Sequence, residues 1–213
     1  MTNNVNVINN AGNSVDVKVN EVNGAIQIVI DVPQTGTELS LLSPGDVFEK
    51  NNVAYIVCEQ FENGSTAVVR KECLDKTMEF GNNNNWKESR LREYLNGDYL
   101  KEVEAVFGAE NILEHEVDLT SLDGYDDYGV STDKVSAMNI DRYRKYHRYI
   151  GDTGECHYLS TPDSTPSGTG SSRVRYVGSV GYVDWDGCDW DGGVRPFCIL
   201  KSSIFVSFEK GRS

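Results

Sequence analysis

The chain has 213 residues, 38% of them hydrophobic and 10% aromatic, enough apolar matter for one domain with a substantial core or one domain plus a small appendage. Its 33 acidic and 20 basic residues leave a formal net charge of -13. That balance favours solubility and argues against non-specific nucleic-acid binding, which needs a basic surface to displace counterions.

No stretch approaches the roughly 20 apolar residues that span a bilayer, so membrane insertion is not expected. The opening "MTNNVNVINN" has neither the basic region nor the apolar run of a secretory signal. Cys58, Cys73, Cys156, Cys188 and Cys198 make an odd count without a signal peptide, which reads as reduced thiols. No Cys-x-x-Cys pair is present, so no structural zinc site is expected.

Residues 3–32 alternate apolar and polar side chains. Val15, Val17 and Val19 share one face; Ile26, Ile28, Ile30 and Val32 share another. Period two predicts two strands, with Asn23-Gly24 as a two-residue hairpin turn. A lone hairpin is marginal in water, so this one is expected to pack on the main domain or on a partner chain. Residues 33–36, "PQTG", read as a short linker.

The main domain starts near Leu39. Short strands are expected at 47–48, 53–60 and 66–70, with turns at Asn51-Asn52 and Asn63-Gly64. Trp86, Leu91, Tyr94 and Leu95 fall at helical spacing, with Asn85 placed to cap that helix and Asn96-Gly97 to end it. A second helical piece covers 99–107, residues 111–119 alternate as a strand, and a third helix is predicted over 139–149, ended by Gly151. "TPDSTPSGTGSS" is a loop, and strand-like pieces follow at 173–180 and 181–185. The closing run alternates Ile204, Val206 and Phe208. Strands, then helices, then strands with long loops define an α+β chain whose termini meet in one antiparallel sheet.

The blocks "FGNNNNWKESRLREYLN", "STDKVSAMNIDRYRKY", "YLSTP" and "GGVRPFCIL" resemble, in order, the signatures of an uncharacterised bacterial and phage domain family. In that family a Trp-x-x-Ser-x-Leu-Arg-x-Tyr-Leu-Asn helix precedes an Asp-Lys-Val segment, a Trp-Leu-Arg-Ser-Pro strand and a terminal Gly-Val-Arg-Pro. The matching helix residues are Trp86, Ser89, Leu91, Arg92, Tyr94, Leu95 and Asn96; the terminal block is Gly193, Val194, Arg195 and Pro196. One block departs from the pattern. Tyr158, Leu159, Ser160, Thr161 and Pro162 stand where Trp-Leu-Arg-Ser-Pro is the rule, which puts in doubt any buried ion pair from that arginine. The family is similar to the C-type lectin-like fold, in the branch shared with formylglycine-generating enzymes and phage variable receptor-binding proteins. The resemblance covers about 39–206. It implies a C-type lectin-like ligand-binding domain over 37–213, preceded by a β-hairpin appendage over 1–36. The hairpin itself resembles tails of phage structural proteins, which implies a phage or prophage origin.

The resemblance also implies that ligand contacts come from irregular segments between the late strands, here 171–193. That stretch carries Arg173, Arg175, Tyr176, Ser179, Tyr182, Asp184, Trp185, Asp186, Asp189, Trp190 and Asp191. Trp, Tyr and Arg dominate binding hot spots, and loops on a rigid scaffold are the usual place for them. The plainer reading packs Trp185 and Trp190 into a small late core and leaves the aspartates as turn formers. The four carboxylates could also supply calcium ligands. Their spacing fails the EF-hand loop: counted from Asp184, Cys188 stands fifth and Asp189 sixth, where Gly is required. The tripeptides of sugar-binding C-type lectins, Glu-Pro-Asn or Gln-Pro-Asp and Trp-Asn-Asp, are absent. No cofactor is therefore expected, with calcium the weaker alternative.

Trp86, Arg92, Arg195 and Pro196 read as structural. Pro196 biases Val194-Arg195 towards extended backbone, and Arg195 offers donors to carbonyls of the late loops. Arg92 is expected to meet an acidic side chain or loop carbonyls. No catalytic residue is expected: Cys156 and His157 are strand neighbours pointing to opposite faces, and neither Cys156 nor Cys188 lies in a nucleophile elbow. The basic run "RYRKYHRY", 142–149, is expected to put Tyr143, Tyr146 and Ile150 on one helix face, its cations answering internal carboxylates rather than RNA.

The reading that follows is a non-catalytic binding protein made without a signal peptide in a bacterial cytoplasm and carried on a virion or extracellular surface. It would display its late loops to a host-surface protein or glycan and self-associate through the hairpin, as a trimer by analogy. Adenine changes in an Asn codon reach Asn, Asp, Ser, Gly, Tyr, Cys and Arg, and residues 171–191 are rich in that set, through Asp, Ser, Gly, Tyr, Cys and Arg. Diversification by a retroelement is therefore considered, with Trp185 and Trp190 as fixed positions. The alternatives are a virion decoration protein without a specific receptor and, more distantly, an enzyme related to formylglycine-generating proteins.

Overall fold

A computed structural model describes residues 36–208, together with the backbone of 16–22 and 25–31. The described residues divide into two compact units at Gly36–Thr37. In the first, β1 (Asp16–Val22) pairs antiparallel with β2 (Ala25–Asp31), from Asp16 opposite Asp31 to Val22 opposite Ala25. Asn23-Gly24 and the hairpin side chains lie outside the described residues.

In the second unit, β3 (Thr37–Glu38) leads through a 3-10 turn at Leu39–Leu41 to β4 (Val47–Lys50), β5 (Val53–Phe61) and β6 (Ser65–Arg70). Asn51 and Asn52 both adopt positive φ, 50° and 62°, the geometry that closes a two-residue hairpin without splaying its strands. The chain continues through β7 (Met78–Glu79), α1 (Arg90–Asn96), α2 (Asp98–Phe107), β8 (Ile112–Leu113), β9 (His115–Asp118), β10 (Val130–Asp133), β11 (Val135–Ser136) and α3 (Ile140–Ile150). The late strands are β12 (His157–Pro162), β13 (Arg173–Val177), β14 (Val183–Gly187), β15 (Asp191–Gly192), β16 (Phe197–Lys201) and β17 (Phe205–Val206). The unit is α+β, with its ladders antiparallel.

The main sheet runs β4-β5-β6-β16. The free edge of β16 is shared by two short strands: β11 takes Phe197 and Cys198, and β8 takes Ile199 and Leu200. Both sheet faces are covered. Tyr55, Val57, Val68 and Leu200 join a core with Leu91, Leu95, Val103 and Phe107 of α1 and α2. Ile56, Ala67, Val69 and Phe197 join a second core with Ile140, Tyr143, Tyr146 and Ile150 of α3. Two-sided burial explains why "AYIVC" and "TAVV" are continuous apolar runs rather than alternating ones. The first and last strands of the unit, β3 and β17, pair with each other.

Three expectations about elements are corrected. The helix expected from Trp86 is broken: a 3-10 turn over Trp86–Glu88 is capped by Asn85, and α1 starts afresh with Ser89 as its cap, its Oγ accepting from the Arg92 N–H at 3.0 Å. Ser89 is extended, ψ 144°, because its hydroxyl satisfies a first-turn donor better there than inside a helix. The strand expected over 111–119 is two strands with different partners, β8 on β16 and β9 on β10. The closing run is likewise split, with Ile204 in the turn between β16 and β17.

Candidate functional site

The late segment is more regular than the resemblance implies. Residues 171–193 are built on the β13–β14 hairpin, hydrogen-bonded through β13 to β12. The hairpin closes by a β-turn in which the Gly181 N–H donates to the Gly178 carbonyl at 2.9 Å, with Gly181 at φ +85°. A Cβ on Gly178 would overlap the Tyr182 ring, so the tyrosine packs onto its own turn. Val180, Tyr182 and Trp185 are 74%, 49% and 41% exposed, three of the eight exposed large hydrophobic residues among those described.

Behind the hairpin stands a line of aromatic pairs. Tyr182 meets Tyr176 edge-on at 6.2 Å between centroids, Tyr176 meets Trp190 at 5.2 Å, and Trp190 meets Tyr158 at 5.2 Å. Tyr158 then meets Phe80 at 5.5 Å, and Phe80 meets the fully buried Trp86 at 6.0 Å. Tyr158 also donates its hydroxyl to the Trp190 carbonyl. Trp190 is thus half-buried as a strut, which corrects its expected place as an exposed anchor. Trp185 fits that expectation better: it is exposed, and the Arg173 guanidinium lies over its ring at 3.7 Å.

The other expected contact residues divide similarly. Arg175 is ion-paired to Asp163, with side chains only 14% and 15% exposed, so it is committed to the fold. Ser179 sits in the hairpin turn, half-buried. Asp184 accepts from the Trp185 N–H at 2.9 Å and Asp186 from the Gly187 N–H at 2.7 Å. Asp189 and Asp191 are exposed, Asp191 lying opposite Glu79 in the β15–β7 ladder. Among the described residues no group of three or more His, Cys, Asp or Glu side chains is placed to hold a metal ion.

Two arginines organise the frame beneath. Arg92 Nε donates to Asp133 Oδ1 at 2.7 Å, and Trp86 Nε1 to Asp133 Oδ2 at 2.7 Å. The Ser131 hydroxyl adds a third donor at 3.1 Å, and the Asp133 side chain is fully buried. Arg195, beside the buried Pro196, donates to four carbonyls: Arg70 and Lys71 at the end of β6, and Ile150 and Gly151 at the end of α3. Those partners correct the expected bridge to the late loops; Arg195 instead ties α3 to the main sheet. Ser160 is fully buried on β12, and its backbone N–H donates to the Met138 carbonyl at 2.9 Å.

All five cysteines are free. Burial raises the thiol pKa of Cys58 and Cys73 and pushes Cys188 and Cys198 up to about 12, which suppresses the thiolate form. Burial, with Arg195 nearby, lowers His157 to about 4. Burial, with Arg142 nearby, lowers His115 to about 3. The basic run of α3 is largely spoken for: Lys145 bonds Glu59 at 2.7 Å, Arg144 reaches Asp141 at 3.2 Å, and Arg142 lies over the Phe197 ring at 4.8 Å.

Beside the hairpin lies an open groove of about 390 Å³, bounded by α3 on one side and β13–β14 on the other. The Tyr143 hydroxyl donates to the Gly181 carbonyl at 2.8 Å, fastening the hairpin turn to the helix. Sequence reasoning missed this groove and missed Asp133. The signal for Asp133 was present, since the Asp-Lys-Val block lies downstream of the segment that carries both Trp86 and Arg92. The groove had none, because its walls come from residues far apart in the chain.

No family model matches the chain, and no curated protein or solved structure matches it either. Among the described residues no helix is long and apolar enough to cross a membrane.

Proposed function

We propose that this is a non-catalytic binding protein whose C-type lectin-like domain presents the β13–β14 hairpin to a host-surface protein or glycan, on a phage or prophage particle. The carrying observation is that Tyr182 and Trp185 are exposed yet backed by rigid packing, Tyr182 by the aromatic line down to Trp86 and Trp185 by Arg173. Pre-ordered aromatic side chains lose little freedom on binding, which is what a recognition hot spot needs. The suppressed thiols and depressed histidines favour binding over nucleophilic catalysis. Self-association through the hairpin unit, as a trimer, and diversification of the exposed hairpin positions by a retroelement belong to the same proposal. A nearby reverse transcriptase gene with a near-copy repeat would support the latter, and a genome without them would remove it.

The test is host-cell adsorption by Tyr182→Ala and Trp185→Ala proteins with unchanged thermal unfolding. Lost adsorption supports recognition. Unchanged adsorption supports the second reading, a virion decoration protein, which the commitment of Arg175 and Trp190 to internal contacts favours.

A further inference from the structure

We propose that the groove between α3 and the β13–β14 hairpin is a second ligand site, for a small carboxylate carried on an apolar body. The site is independent of the hairpin reading, since neither Tyr182 nor Trp185 lines it. Its volume falls within the range of small-molecule pockets. Its lining is basic although the molecule is acidic overall. The chain carries 33 acidic residues, yet none lines the groove, whereas Arg144 and Arg175 do, along with the polar ring of His147. Its apolar surface comes from Leu122, Ile140 and Val183.

The two arginines differ in availability. Arg175 is held by Asp163 in a largely buried pair. Arg144 reaches Asp141 at 3.2 Å with both side chains mostly exposed, a pairing that solvent screens and a ligand can displace. His147 donates its Nδ1 proton to the Arg144 carbonyl at 2.8 Å, so Nε2 of that ring is an acceptor and the carboxylate is left to Arg144. A planar carboxylate matches the guanidinium fork of Arg144, while the body of the ligand covers Leu122 and Val183. The Tyr143–Gly181 hydrogen bond holds the two walls in place beforehand, so binding need not order them.

The experiment is a two-dimensional amide NMR titration of the full chain with phenylacetate, phenylacetamide, acetate and inorganic phosphate. Saturable shifts centred on Gly181 and His147 are expected with phenylacetate. Phenylacetamide, acetate and phosphate should each bind at least about tenfold more weakly, since each lacks the charge or the apolar body. Arg144→Gln should weaken phenylacetate at least about tenfold, and Leu122→Ser should weaken it measurably. Both side chains are exposed, and unfolding midpoints verify that each variant is folded; His147→Ala replaces any that is not. Equal binding of phenylacetamide, equal binding of phosphate, shifts elsewhere, or no saturation would each overturn the site. Trp185→Ala should leave phenylacetate binding unchanged, which separates this proposal from the hairpin's role.

Discussion

The Arg173 guanidinium lies 3.7 Å from the centre of the Trp185 ring, and the two come from opposite strands of one hairpin. The arginine holds one face of an exposed indole without an ion pair of its own among the described residues. An exposed cation–π contact is worth about 0.5–1 kcal/mol. Arg173→Ala should therefore change stability by less than about 1 kcal/mol while loosening the ring. Trp86 is fully buried and Trp190 half-buried, so acrylamide quenching of fluorescence reports mainly on Trp185. Quenching should rise in Arg173→Ala; an unchanged value would mean that the ring is held by something else.

Asp133 is the hub of the frame, a buried carboxylate receiving Trp86, Arg92 and Ser131. Asp133→Asn keeps the shape but removes the charge facing Arg92, whose side chain is 31% exposed and partly solvated. A loss of about 2–3 kcal/mol is expected, below the full value for a wholly buried pair. The urea midpoint measures it, and a change under about 0.5 kcal/mol would deny Asp133 that role.

Arg195→Lys should be costly although charge is conserved. Four carbonyls from two separate segments share one guanidinium, and an ammonium on a flexible stem cannot reach them together. Stability should fall by about 2–4 kcal/mol. Hydrogen exchange should be fastest to increase at the end of α3, next to Ile150 and Gly151.

The buried histidines give the molecule an acid-sensitive window. His157, lowered to about 4, is neutral when folded and takes up a proton near 6.5 when unfolded. The unfolded state then binds more protons between these values, so stability falls as pH drops from 6.5 towards 4, by about 1.4 kcal/mol per unit. His115 adds an equal slope over the same window and carries it on towards 3. Burial raises Glu59, but its bonds to Lys145 and Tyr146 outweigh that and lower it, so the stability it adds is present above the usual glutamate range and is lost only as pH falls through that range. Urea midpoints from pH 7 to 4.5 should show the slope, and His157→Gln should roughly halve it, leaving the part due to His115.

What the sequence disclosed was local. Asn51-Asn52 announced its turn through side chains that tolerate positive φ, and Tyr143, Tyr146 and Ile150 shared a helix face because spacing alone decides that. What it concealed was non-local. Ser89 breaks a helix whose apolar spacing continues across the break, so periodicity cannot see it. Trp190 looks like a surface anchor until Tyr158, 32 residues earlier in the chain, is found against it. Arg195 reaches carbonyls 45 and 125 positions away, and nothing in "GVRPF" names them.

The pairing of β3 with β17 also has a mechanical side. Thr37 lies opposite Val206, so the entry and exit of this unit emerge at the same end of one antiparallel ladder. Tension between them would open that ladder rung by rung, like a zip, rather than shear it all at once. A load carried through both ends would therefore meet this ladder one pair at a time, whereas a load on a single end would leave it slack.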